Sequence, residues 1–394
     1  MPEASSALSR APSPEVMVAR ARALAPRLAA RAEQCERDRR VPEATIAEMK
    51  DAELDRLMVP ARYGGFEMGW DTLCEAAIEL GKGCGSQAWV ITIYGDHNHL
   101  IGNFAREAQD DVWGADPRAL TSTCFQPLGT MRPRNGGYVV SGRWTFSSGI
   151  DHVQWILASA MLEEGAGPPG RVFFLAPKRE ATVIDDWHVA GLAGTGSKSF
   201  TMQDAFVPAH RILSEADHND GTGPGTRINA PVYRFPRRGV GIGLAAVAVG
   251  AAWGMLDDFC SLARDRARRG RRAANDFSTA LRIAESKADL DAARWSLIEA
   301  ARATQAMLEE TGGTDVERRA TNRLKAGYAG LLACRTVDRL FAAAGGTAIY
   351  SSSRLQRALR DVHAATQHTG VSWDLVGSPY GRLMLGEDPE TVVF

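Results

Sequence analysis

Two histidines, a serine pair and a glycine-rich turn are the groups in this chain whose types and spacing suit proton transfer and the holding of a planar ring. His97 lies in the stretch YGDHNHL, with His99 as a neighbouring alternative, and His368 lies near the end of ALRDVHAATQHTG. Imidazole, with an ordinary pKa near ~6.5, gives and takes protons at neutral pH. Ser147-Ser148-Gly149 ends the segment RWTFSSG, just after Trp144 and Phe146. A serine hydroxyl at the end of a strand can meet a planar heterocycle edge-on, and Gly149 permits close backbone approach. The plainer reading of the same residues is a turn closing a hairpin.

The segment GLAGTGSK, from Gly191 to Lys198, offers backbone amides and the hydroxyls of Thr195 and Ser197 to a phosphate or a polar ring edge. Its spacing is not that of a dinucleotide fingerprint, and no strand-to-helix transition follows it. Arg238 opens a run devoid of charge up to Asp257 and can stabilise an anionic ring edge; Arg237 is an equally placed competitor. Gly345-Gly346, after Ala342–Ala344, lets a backbone approach a nucleotide or simply caps a helix. His363 precedes His368 by five residues, roughly 140° around a helix, and should not share its face.

Composition sets the background for these groups. The 394 residues are 45% hydrophobic and 24% charged, with a formal net charge of −1. That balance is ordinary for a globular protein and gives no overall field favouring nucleic acid or a membrane surface. The arginine runs at Arg37–Arg40 and Arg266–Arg272 are local and interleaved with or near acidic residues, as on a solvated helix face. Six scattered cysteines show no metal-ligand spacing and read as reduced thiols of a cytoplasmic protein. The first residues lack an apolar signal core.

The elements that must position the candidate residues fall into three layers. Residues 1–15 are expected to be a flexible lead-in and residues 16–115 a helical domain, from their three-to-four apolar spacing. Residues 116–229 carry short segments rich in β-branched and aromatic residues, such as GYVVSGRWTFSSG, QWILASAML and RVFFLAP. Separated by Gly, Pro and Asn-Gly-Gly, these predict a compact β-barrel or sandwich. Residues 230–394 predict a four-helix bundle, with helices at Gly239–Arg264, Ser278–Leu308, Asp315–Ala343 and Ser353–His368. The chain is therefore expected to be α+β.

In this order, MVPARYGGFE, WTFSSG, WHVAGLAGTGSKSFTMQDAFVPAHR and AGGTAIYSSSRLQRALRDVHAATQH resemble the acyl-CoA dehydrogenase superfamily from about Arg40 to the C-terminus. Within it they are similar to the oxygenase components of two-component flavin-dependent monooxygenases, such as p-hydroxyphenylacetate 3-hydroxylase and the secosteroid phenol hydroxylase. The resemblance implies reduced FMN or FAD from a separate NAD(P)H:flavin reductase, O2 as co-substrate, and a C(4a)-hydroperoxide that hydroxylates a small aromatic molecule. It implies Ser148 beside flavin N5, and Thr195, Ser197, Trp144, Phe146, Arg238 and Gly345-Gly346 at the cofactor, the last pair across a subunit boundary of a homotetramer. It also implies His97 and Thr123 at the substrate, with Cys124 adjacent, and His368 near the reacting edge of the flavin.

Dehydrogenases of this superfamily need a carboxylate base, and the family's Arg-Asp pair, here Arg360-Asp361, is followed by His368-Thr369 where an acid is expected. The second family position for that base, on the apolar bundle helix, is also empty, since no Asp or Glu occurs between Asp220 and Asp257. Dehydrogenation is thereby disfavoured. Oxygenation of nitrogen or sulfur on the same scaffold remains an alternative, because the fold does not dictate the substrate pocket.

Overall fold

The computed structural model describes residues 11–163, 170–236, 241–268 and 277–387. The chain opens with α1 (Pro14–Asp38), started by Ser13 and Pro14 at its N-terminus, and α2 (Glu43–Asp51). Then come α3 (Trp70–Gly81), α4 (Gly85–Ile101) and α5 (Arg106–Trp113). Every residue of α4 is buried. Its sequence shows no polar face because α1, α3, β1 and the bundle surround it, so polar side chains on it must find partners inside the protein. Gln87 accordingly donates to the Leu28 carbonyl at 2.8 Å, and Asn98 to that of Asp55 at 2.9 Å.

Among the described residues seven strands follow: β1 (Thr121–Arg134), β2 (Gly137–Ser147), β3 (Trp155–Leu162), β4 (Arg171–Pro177), β5 (Thr182–Ile184), β6 (Lys198–Pro208) and β7 (Ile212–Ser214). They form one sheet in the order β5-β6-β2-β1-β3-β4-β7, antiparallel except for the parallel pair β1 and β3. The β layer, expected as a compact barrel or sandwich, is among the described residues a single sheet whose edges are the three-residue strands β5 and β7. Register shifts interrupt β1 after Cys124 and β2 between Trp144 and Ser147. Irregularities of this kind re-aim side chains at sheet ends.

A short helix, α6 (Glu215–Asp220), follows β7 in a Gly- and Asp-rich segment. The C-terminal layer consists of α7 (Ile242–Arg268), α8 (Phe277–Thr311), α9 (Val316–Ala344) and α10 (Arg354–Ala365), as the four expected helices, plus α11 (Trp373–Met384), which the sequence reading did not anticipate. Helix α7 is long and apolar enough to cross a membrane, but 83% of that apolar stretch is buried in the fold, which marks it as a core helix. Its small residues allow close packing: a Cβ on Gly250 would lie 2.4 Å from the Ile78 carbonyl oxygen of α3. Helix α10 ends at Ala365, earlier than expected, so His368 sits in the turn between α10 and α11.

Candidate active site

Helix α4 carries His97 to the N-terminal end of β1. His97 Nδ1 lies 2.5 Å from the Thr121 carbonyl oxygen, and Nε2 lies 2.7 Å from Thr123 Oγ1. A carbonyl can only accept, so the ring proton sits on Nδ1 and Nε2 accepts the Thr123 hydroxyl. Both side chains are buried, and the sequence-based pairing of His97 with Thr123 is brought together in space. His99, the alternative, faces elsewhere: its Nε2 is 2.9 Å from the Val232 carbonyl oxygen and its ring stacks on Tyr233.

The β2 end supplies the second cluster. Ser147 is fully buried and donates to Ser122 Oγ at 3.0 Å, whereas Ser148 is half-buried. Ser148 Oγ is 2.6 Å from Ser197 Oγ, which is 2.7 Å from Thr195 Oγ1, and Thr195 donates to the Leu192 carbonyl at 2.8 Å. Three sequence candidates thus form one hydroxyl chain. Phe146 stands before it with a left-handed φ of 62°, 61% exposed, its ring edge-on to Trp187 at 5.7 Å. Such a backbone is uncommon for a bulky residue and clusters at functional sites.

Tyr94 links the two clusters. One turn before His97 on α4, its buried hydroxyl donates to the Gly149 carbonyl at 2.8 Å, holding the residue after Ser148 in its left-handed conformation at φ 68°. Burial pushes the Tyr94 phenol far above its ordinary pKa, so it remains a neutral donor. Sequence reasoning missed Tyr94 as a functional residue, although its spacing of three from His97 was a usable signal. It also missed Trp187, whose indole donates to the Leu192 carbonyl at 3.2 Å.

The Arg360-Asp361 pair anchors the glycine-rich turn from the opposite side. Asp361 accepts the Leu192 amide at 2.7 Å and Arg360 donates to the Ala190 carbonyl at 2.5 Å. A Cβ on Gly191 would lie 2.1 Å from the Arg360 carbonyl oxygen, so only glycine permits this approach. Burial raises the Asp361 carboxyl to a pKa of about 6, against the lowering influence of the Leu192 amide and Arg360. Asp361 is thus a structural anchor within the protein. Asp151, which also borders the turn, is bound to Lys198 at 3.0 Å.

His368 packs edge-on against Trp89 of α4, with ring centroids 5.9 Å apart. Its Nδ1 accepts the Gly370 amide at 3.1 Å, which leaves the proton of the neutral ring on Nε2. His363 instead pairs with Asp338 at 2.8 Å, on a different face as expected. The hydroxyls of Thr123, Ser148, Ser197 and Thr195 bond to His97, to one another or to the Leu192 carbonyl.

The remaining candidates fare differently. Trp144 is fully buried, stacked on Phe200 and donating to the Ser159 carbonyl at 2.8 Å; it is a sheet-core residue and not part of a cofactor surface. Arg238, with its competitor Arg237, lies outside the described residues. Gly345 and Gly346 are exposed where α9 ends, with no protein atom within 4 Å of a Cβ placed on Gly346. The half-buried Ser148, the exposed ring of Phe146 with the half-buried Trp187 beside it, and the adjoining glycine-rich turn together fit the polar edge and flat face of an isoalloxazine.

Residues 15–116 match the acyl-CoA dehydrogenase N-terminal domain, and residues 242–373 match the acyl-CoA dehydrogenase C-terminal domain. The chain is 36% identical to the FADH(2)-dependent resorcinol hydroxylase oxygenase component of Rhizobium sp. strain MTP-10005, over 97% of this chain and 98% of that one. The crystal structure of the HsaA monooxygenase from M. tuberculosis superposes with a TM-score of 0.91 at 33% identity, covering 97% of this chain and 100% of that one. XiaF from Streptomyces sp., solved with FADH2 and glycerol, superposes with a TM-score of 0.88 at 28% identity, covering 95% and 96%. This chain belongs to the acyl-CoA dehydrogenase superfamily, among the oxygenase components of flavin-dependent monooxygenases.

Proposed function

We propose that this protein is the oxygenase half of a two-component system that hydroxylates a phenolic aromatic molecule. A separate reductase delivers reduced FMN or FAD. The carrying observation is that α4 bears both His97, paired with Thr123, and Tyr94, which donates to the Gly149 carbonyl next to the Ser148–Ser197–Thr195 chain; this supports a proton acceptor for a phenol near a polar edge for a flavin.

Reduced flavin together with O2 supplies one oxygen atom for transfer and the two electrons that reduce the other to water. The chain's own residues do the rest. His97 Nε2, through Thr123 Oγ1, accepts the phenol proton as Thr123 passes on its own, and so enriches the ring positions ortho to that oxygen. Ser148 would hold the N5 edge of bound flavin, Phe146 and Trp187 would shield a ring face from water, and His368 Nε2 would supply a proton at the reacting side. Gly345-Gly346, with the exposed Ile349 and Tyr350, serves a neighbouring subunit's cofactor in a homotetramer. The relatives named for phenols, resorcinol and p-hydroxyphenylacetate among them, support this substrate class.

The test is anaerobic loading with reduced FMN or FAD, followed by O2 and a panel of phenols. Hydroxylated product is expected. His97→Asn should lower kcat/KM by roughly 100-fold, and Ser148→Ala should raise H2O2 release relative to product. Coupling unchanged in both variants would remove these assignments.

A further inference from the structure

The hydroxyl chain beneath Ser148 has a direction, and it follows from the acceptor at its far end. The Leu192 carbonyl has no proton to give, so Thr195 must spend its single hydroxyl proton on it, at 2.8 Å. Thr195 Oγ1 therefore faces Ser197 as an acceptor, and Ser197 donates its one proton across 2.7 Å. Ser197 in turn faces Ser148 as an acceptor, and Ser148 donates across 2.6 Å. Every proton in the relay runs inward. Ser148, the half-buried terminus, is left with lone pairs alone for a ligand.

The carbonyl that sets this polarity is itself fixed. Leu192 is held in a left-handed conformation at φ 54°, its amide is bound by Asp361, and its carbonyl also accepts from the Trp187 indole. Thr195 and Ser197 are almost fully buried, which keeps water from reversing the chain.

We infer that Thr195, acting through Ser197, makes Ser148 an obligate acceptor, and that this selects the redox state of the bound flavin. The inference rests on the flavin reading above. At N5, reduced flavin carries a proton and donates; oxidised flavin has a lone pair and accepts. An inward-polarised Ser148 bonds the first and opposes the second. Facing acceptors in a water-poor site forfeit a hydrogen bond, an effect on the order of ten- to hundredfold in affinity. The relay thus favours release of flavin once it has been oxidised. Thr195 is a positioning residue, since it acts on the flavin only through two other hydroxyls.

Thr195→Val keeps the side-chain shape and removes the acceptor. Ser197 can then turn its proton toward Ser148, which becomes free to donate outward to oxidised N5. Dissociation constants of oxidised and photoreduced FMN and FAD, measured anaerobically by protein fluorescence, give the ratio that matters. The full-length protein should bind reduced flavin at least about tenfold more tightly than oxidised flavin. Thr195→Val and Ser197→Ala should each lower that preference about tenfold, chiefly by tightening oxidised flavin, and Thr195→Ser should restore it. Equal weakening of both redox forms in Thr195→Val, or a ratio unmoved in Ser197→Ala with circular dichroism intact, overturns the relay. Failure of the unaltered protein to bind either redox form overturns the flavin reading with it.

Discussion

His97 and His368 hold their ring protons on opposite nitrogens, and this asymmetry separates their chemistry. A carbonyl fixes the proton of His97 on Nδ1, while an amide fixes that of His368 on Nε2. One ring is an acceptor at Nε2, reached through the Thr123 hydroxyl, and the other a donor, which is the pairing that the proposed reaction would use to accept a phenol proton and to return one to oxygen. Neither tautomer is visible in a sequence, because each depends on a backbone group supplied by folding. The same holds for the two serines: Ser147 and Ser148 are adjacent and identical in type, and only burial and partners separate the inward from the ligand-facing one. Tyr94 offers the sharpest test at this scale. Tyr94→Phe leaves the packing intact but deprives the Gly149 carbonyl of its buried donor, which should destabilise the protein by about 1–3 kcal/mol. The Ser148 turn should loosen as well, raising H2O2 release per reduced flavin consumed. A thermal midpoint and a coupling ratio both equal to those of the parent would refute the bridging role.

Helix α10 positions the glycine-rich turn through charge as well as shape. Glu36 of α1 takes Arg357 at 2.7 Å and Arg360 at 2.5 Å; burial alone would raise this carboxyl, yet the two guanidiniums hold it below its ordinary pKa. Asp361 beside them behaves differently, because burial outweighs the Leu192 amide and Arg360 and lifts its pKa from 3.8 to about 6. Its folded form therefore binds a proton more tightly than the unfolded chain does. The resulting stabilisation is fully present below about pH 4 and is lost as pH rises through about 6, an effect on the order of 3 kcal/mol. Asp361→Asn cannot titrate. The stability difference between parent and variant, from urea unfolding, should shift in the variant's favour between pH 4 and pH 7.5, and a difference constant across that range would contradict the assignment. The sequence made the helix itself legible through its amphipathic period, but not its end. Thr366 closes α10 with its hydroxyl returned to the His363 carbonyl at 3.0 Å, a local side-chain bond that periodicity does not register.

At the scale of the molecule, the order of helices, strands and helices could be read from period and turn residues, because each layer buries its own apolar pattern. Closure of the β layer could not, since it depends on where the short strands β5 and β7 lie at the edges of the sheet, and three-residue strands carry almost no pattern. Assembly is a third level. Gly345-Gly346 is exposed and stands next to Ile349 and Tyr350, which are 71% and 67% exposed. Large apolar side chains grouped beside a side-chain-free backbone suit a contact that covers them and lets that backbone approach a ligand held mainly by another copy. In the proposed homotetramer the site would be complete only in the oligomer. Ile349→Asp places a charge in that contact without touching any residue of the hydroxyl chain or the His97 pair. Light scattering should show the parent as the proposed homotetramer and the variant as a smaller species, and reduced-flavin affinity should fall with it by roughly tenfold or more, as one set of contacts is withdrawn. A tetramer lost with flavin affinity retained would confine Gly345-Gly346 to helix capping, and a tetramer retained would move the subunit contact to another face.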